Sequence, residues 1–227
     1  MIPRPANPLI VALDTTDLGR AERLASSLAP HVAMFKVGLE LSWSYGPAAV
    51  SAIAAHGPIF VDAKLHDIPT TVERASANIA RLGVAMLNVH ALGGDAMMRA
   101  ALEGAYRGAD EAGVARPSVV AVTVLSSTAG ESLASPASLA WEAQQAGLDG
   151  VVVSGDDVRE VRAICGETFH LVVPGIRPAG SNGQDQVRIL TPGDAIERGA
   201  DHLVVGRPIT EADDPVGAAR AVVLDAR

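Results

Sequence analysis

The 227-residue chain carries a formal charge of −8 and only 3% aromatic residues, which argues against a nucleic-acid surface built from basic patches and stacking rings. With 48% apolar residues, 22 glycines and 14 prolines it is neither disordered nor fibrous, and its longest apolar runs, such as Ser118 to Leu125, fall well short of the roughly 18 residues of a membrane span. The single cysteine, Cys165, excludes an intrachain disulfide and a multi-cysteine metal site, and it reads as an inert, semi-buried thiol.

The chain opens on a Pro-rich stretch of about eight residues, Met1 to Pro8, without the apolar core of a secretory signal, so a short tail on a cytoplasmic protein is expected. Apolar, β-rich runs then begin near Leu9, Met34, Ile59, Met86, Ser118, Gly150, His170 and His202, at steps of 25, 25, 27, 32, 32, 20 and 32 residues. Between them lie segments with helical apolar spacing, as in Leu18, Ala21, Leu24, Ala25 and Leu28, or Val72, Ala75, Ile79 and Leu82. Asp17 is placed to cap the first helix, Pro69 suits an early helical position, and Gly57, Gly83, Gly113, Gly147 and Gly199 fall just past helix ends. No break in composition marks a second domain. Eight strand–helix units over residues 1–227 therefore predict one (β/α)₈ barrel, with an open doubly wound sheet as the alternative.

In a barrel, function sits where polar residues interrupt the C-terminal ends of the strands. Those ends are Asp14, Lys36, Asp62 with Lys64, Asn88 with His90, Thr123 with Ser126, Ser154, Pro174 to Arg177, and Gly206 with Arg207. The third is the most informative. Under the period-two rule, Phe60, Asp62 and Lys64 share one strand face and point the same way. Asp67 breaks that parity and must sit in the turn beyond, either reaching elsewhere or capping the helix that follows. His66 and His90 lie near this end but receive no role.

The last two strands end in Pro174-Gly175-Ile176-Arg177 and Gly206-Arg207-Pro208, each a glycine followed closely by arginine. Loops after strands 7 and 8 are the usual phosphate site of barrels, and a guanidinium grips phosphate in a bidentate fork. Residues 178–186, polar and glycine-rich, have the composition of a lid.

Taken together, these motifs make the chain one that resembles the orotidine 5′-phosphate decarboxylase family over most of its length. The signature Asp62-x-Lys64-x-x-Asp67-Ile68-Pro69-x-Thr71 carries the likeness, supported by Leu13-Asp14, Phe35-Lys36-Val37-Gly38, Val89-His90-Ala91 and the two arginine motifs. Thr70 and Ser126 depart from the family's commoner Asn and Thr while keeping hydrogen-bonding side chains.

The resemblance implies a homodimeric barrel, with no metal and no cofactor, that decarboxylates orotidine 5′-phosphate to uridine 5′-phosphate. It gives Asp14 and Lys36 to the ribose hydroxyls and the charged network, and Asp62 and Lys64 to the reacting carbon. Asp67 and Thr71 would enter the neighbouring subunit's site, Ser126 would contact the pyrimidine, Arg177, Gln186, Gly206 and Arg207 would surround the phosphate, and Pro174 would also line the substrate site. Two rivals stand beside this expectation. One is a Mg²⁺-dependent sugar-phosphate lyase or decarboxylase of the same superfamily, which usually carries a metal-binding Glu where this chain has Lys36. The other is a catalytically silent phosphate-binding barrel.

Overall fold

The computed structural model describes residues 5–124, 134–177 and 190–227. Eight parallel strands close into a barrel in sequence order: β1 (Leu9–Ala12), β2 (Met34–Val37), β3 (Ile59–Leu65), β4 (Met86–His90), β5 (Ser118–Val122), β6 (Gly150–Val152), β7 (His170–Pro174) and β8 (His202–Val205). β8 returns to pair with β1, Leu9 opposite Leu203, so no edge is left and the open-sheet alternative is discarded. Each strand begins where its apolar run begins. Alternation sends one set of side chains inward, Ile10, Ala12, Phe60, Met86, Val120, Val172 and Val204 among them, while Leu9, Val11, Phe35, Val61 and Leu87 pack outward against the helices.

The helices are α1 (Leu18–Leu28), α2 (Leu39–Tyr45), α3 (Pro47–Ala54), α4 (Pro69–Ala80), α5 (Gly94–Ala112), α6 (Pro136–Gln145), α7 (Val158–Cys165), α8 (Pro192–Arg198), α9 (Arg207–Thr210) and α10 (Pro215–Asp225). Asp17 caps α1 by accepting the Arg20 N–H at 2.9 Å, and Pro69 opens α4. Gly113 and Gly199 end α5 and α8 in the left-handed region, where a side chain would be strained. Cys165 is buried, and burial pushes its thiol up, in keeping with an inert residue.

Two local expectations change. The second unit carries two short helices, because Gly46 at φ 59° followed by Pro47 breaks the run. On α4 the buried side is Val72, Ser76, Ala77 and Ala80, with Ala75 and Ile79 only partly covered. The cause lies on α5. Gly104 and Gly108 press against the backbone carbonyls of Glu73 and Ala77, so closely that a Cβ at either glycine would fall 2.0 or 2.2 Å from the oxygen. That approach turns the small residues of α4 inward.

The floor of the barrel, opposite the polar strand ends, has its own polar clusters. Buried Arg162 donates to the carbonyls of Phe169 and Gly199 and to Asp201, whose carboxylate also takes the Leu171 N–H. His170 and His202 meet there with ring centroids 5.6 Å apart.

Candidate active site

Four charged side chains from three adjacent strand ends form one chain of contacts. Asp14, just past β1, accepts from Lys36 Nζ at 3.0 Å. Lys36, on β2, also lies 3.1 Å from Asp62 Oδ2, and Lys64 Nζ donates to Asp62 Oδ1 at 2.6 Å. The order is carboxylate, ammonium, carboxylate, ammonium. Parity on β3 thus delivers what it predicted: Asp62 and Lys64 face the barrel mouth together, above Phe60.

Burial decides the electrostatics of the inner pair. Lys36 and Asp62 are each only 8% exposed. Burial alone would discharge Lys36, but the carboxylates of Asp62 and Asp14 outweigh it and hold the ammonium above its ordinary range. Burial likewise opposes ionisation of Asp62, and Lys36 with Lys64 overcome it, holding the carboxyl below its ordinary range. Gly38 closes the space beneath. A Cβ there would stand 3.1 Å from both Asp14 Oδ1 and Lys36 Nζ, so the absence of a side chain lets the backbone run under the ion pair.

Lys36, Asp62 and Lys64 line a cavity of about 180 Å³ whose remaining wall is largely apolar, from Val122, Val124, Val152, Val153 and Pro174, with Ser154 beside them. Pro174 lies where the motif at the end of β7 predicts. Gly206 caps α9 beside Ala12 and Asp14, Arg207 begins that helix and is exposed, and Arg177 is half-buried. The chain therefore turns from the ion cluster to the arginine-bearing loops across the β1–β8 seam. Ser126, Gln186 and the lid-like stretch 178–186 lie outside the described residues.

Asp67 and Thr71 do not join the cluster of their own chain. Both are exposed, and among the described residues the Asp67 carboxylate takes only the N–H of Ile68, at 2.7 Å. The capping alternative fails, because the N-cap of α4 is Ile68 and receives no side-chain cap. Sequence reasoning assigned no role to Asn88, which is 1% exposed and bonded to both Asp62 and Lys64. A polar residue at an inward position of an otherwise apolar strand was the available signal.

A closed (β/α)₈ barrel with alternating carboxylates and ammonium groups at its C-terminal mouth defines the class, a barrel enzyme. The chain belongs to the orotidine 5′-phosphate decarboxylase / HUMPS family, whose model matches residues 7–222. It is 50% identical to the orotidine 5′-phosphate decarboxylase of Paramagnetospirillum magneticum, over 94% of this chain and 95% of that one. With the enzyme of the same name from Moorella thermoacetica it shares 46% identity, over 96% and 91% of the two chains. Among solved structures, orotidine 5′-phosphate decarboxylase from Lactobacillus acidophilus superposes with a TM-score of 0.84 at 36% identity, covering 97% of this chain and 99% of that one.

Proposed function

We propose that this chain decarboxylates orotidine 5′-phosphate to uridine 5′-phosphate in pyrimidine biosynthesis, without metal or cofactor. The observation that carries this reading is the Asp14–Lys36–Asp62–Lys64 row facing an apolar, ring-sized slot. Breaking the bond from C6 to the carboxylate leaves its electron pair on C6, in the plane of the ring and out of reach of the π system. Lys64 places a cation beside that developing charge and then gives C6 a proton, leaving a neutral amine that recovers its proton from water. Asp62 and Lys36 set the position of Lys64 before substrate arrives. Asp62 also faces the substrate carboxylate, and their repulsion falls as charge moves to carbon and toward Lys64.

Asp14 and Lys36 would hold the ribose hydroxyls, Ser126 and the slot the pyrimidine, and Arg177, Gln186, Gly206 and Arg207 the phosphate. Asp67 and Thr71 would serve the site of a second subunit in a homodimer. Their exposure on the rim supports this, as does the apolar surface of Leu39, Ile68 and Leu92 after β2, β3 and β4, at 47%, 67% and 53% exposure.

The Mg²⁺-dependent rival needs carboxylates to spare. Here Lys36 Nζ sits within 3.1 Å of both Asp14 and Asp62 and repels a divalent cation. The test is consumption of orotidine 5′-phosphate followed by ultraviolet absorbance. Turnover by the wild type that survives excess chelator and is abolished by Lys64→Ala supports the proposal. Loss of activity on chelation would favour the metal-dependent lyase, and no turnover at all the silent phosphate-binding barrel.

A further inference from the structure

β3 and β4 lose their common register at the active site. Val61 pairs with Leu87 and Leu65 with Val89, so three residues of β3, Asp62-Ala63-Lys64, stand opposite the single residue Asn88. Lys64 lies at φ 48°, the only non-glycine residue with a positive φ among those described. Lysine has no intrinsic reason to adopt this conformation, so its surroundings must impose it. The Asn88 carboxamide spans the bulge. Its Oδ1 accepts the Lys64 N–H at 2.7 Å, taking the place of a ladder carbonyl, and its Nδ2 donates to Asp62 Oδ1 at 2.7 Å. The two partners determine the orientation of the amide, since one offers a hydrogen and the other only lone pairs.

We propose that Asn88 is the positioning residue of the reaction, locking the backbone of Lys64 and the carboxylate of Asp62 in one relative geometry through a single planar amide. The inference rests on the decarboxylase reading above and adds a residue to it. Asn88 acts through its neighbours. Without it, the half-buried Lys64 N–H is left unpartnered, the bulge relaxes toward extended backbone, and Nζ leaves the place where it meets C6. The ribose and phosphate groups would be held from β1, β2, β7 and β8, so binding should outlast the loss of chemistry.

Three measurements test this. For Asn88→Ala, kcat is expected to fall about 100-fold, the scale of an ångström-sized misplacement, with KM and the affinity for uridine 5′-phosphate within about threefold of wild type. Asn88→Asp keeps the shape and the acceptor for Lys64 but loses the donor to Asp62. Its deficit in kcat relative to wild type is expected to shrink as pH falls, because the introduced carboxyl, once protonated, donates to Asp62 again. Being isosteric, it also serves if the alanine variant does not fold. In a crystal structure of either variant, Lys64 should have left the left-handed region or lost its bond to Asp62. Values of kcat within threefold of wild type in a variant that folds would overturn the proposal. So would an equal loss of uridine 5′-phosphate binding, or a Lys64 still left-handed with Nζ on Asp62. A wild type without turnover would instead defeat the decarboxylase reading, leaving the crystallographic result to judge the geometry.

Discussion

Replacing Lys36 by methionine, which matches its stem without its charge, is expected to destabilise the fold by about 3 kcal/mol at pH 7. Lys36 Nζ lies 3.1 Å from Asp62 Oδ2, a separation worth about 5 kcal/mol at an effective dielectric of about 20. Part of this is offset, because the variant no longer buries an ammonium group, and Asp62 keeps Lys64 at 2.6 Å and Asn88 at 2.7 Å. Asp14, with its side chain 55% exposed, returns to water at little cost. The sign of the pH dependence follows. Asp62 is held below its ordinary range in the fold, so it contributes stability above the unfolded value that is lost as pH falls through the folded one. Without Lys36 that contribution shrinks, and the two proteins converge on acidification. Urea unfolding at fixed protein concentration reads the difference as a drop of about 1 M in midpoint, for a slope of about 3 kcal/mol per molar. An unchanged midpoint at pH 7, or a gap that widens toward low pH, would refute the view that Lys36 and Asp62 support one another in the empty site.

Three further outcomes are expected. Lys64→Ala and Asp67→Ala proteins, each nearly inactive alone, should regain activity when co-refolded, because mixed dimers then hold one intact site; verified heterodimers without activity would return Asp67 to its own subunit. His202 is pushed down to about 4, chiefly by burial and then by His170, with Asp201 opposing. It is neutral in the fold while the unfolded chain takes up a proton below about 6.5, so its contribution to stability should fall by about 3 kcal/mol as pH drops from about 6.5 to 4, and His202→Gln should flatten that slope in denaturant titrations. Arg162→Leu should cost about 3 to 5 kcal/mol in the same assay by stranding buried Asp201, with kcat in the folded fraction unchanged because the pair lies at the floor of the barrel.

Much of this molecule was readable from its residues, and the limits have physical causes. Strand starts such as Leu9, Ile59 and His202 were legible because each apolar run follows a polar or glycine-bearing connection, and the chain alternates faithfully from there. Parity alone brought Asp62 and Lys64 to one face. It could not report the bulge, which depends on how β3 meets a strand 26 residues away and becomes visible only when Asn88 is seen bridging it. The inward side of α4 was hidden for a similar reason: Gly104 and Gly108, on another helix, decide which of its faces is covered. Asp67 was placed in its turn correctly, but parity could not choose between the cap and the crossing.

The join between β1 and β8 has one more consequence. Its partners Leu9 and Leu203 are separated by almost the whole chain, so among the strand pairings this is the one with the longest loop to close. Asp14 stands on one side of it and Gly206 with Arg207 on the other. On the proposed reading a nucleotide would be held from both sides, as a clasp across this join. Hydrogen exchange should therefore slow most on β1 and β8 when nucleotide binds, at the two ends of the sequence rather than around the chemistry.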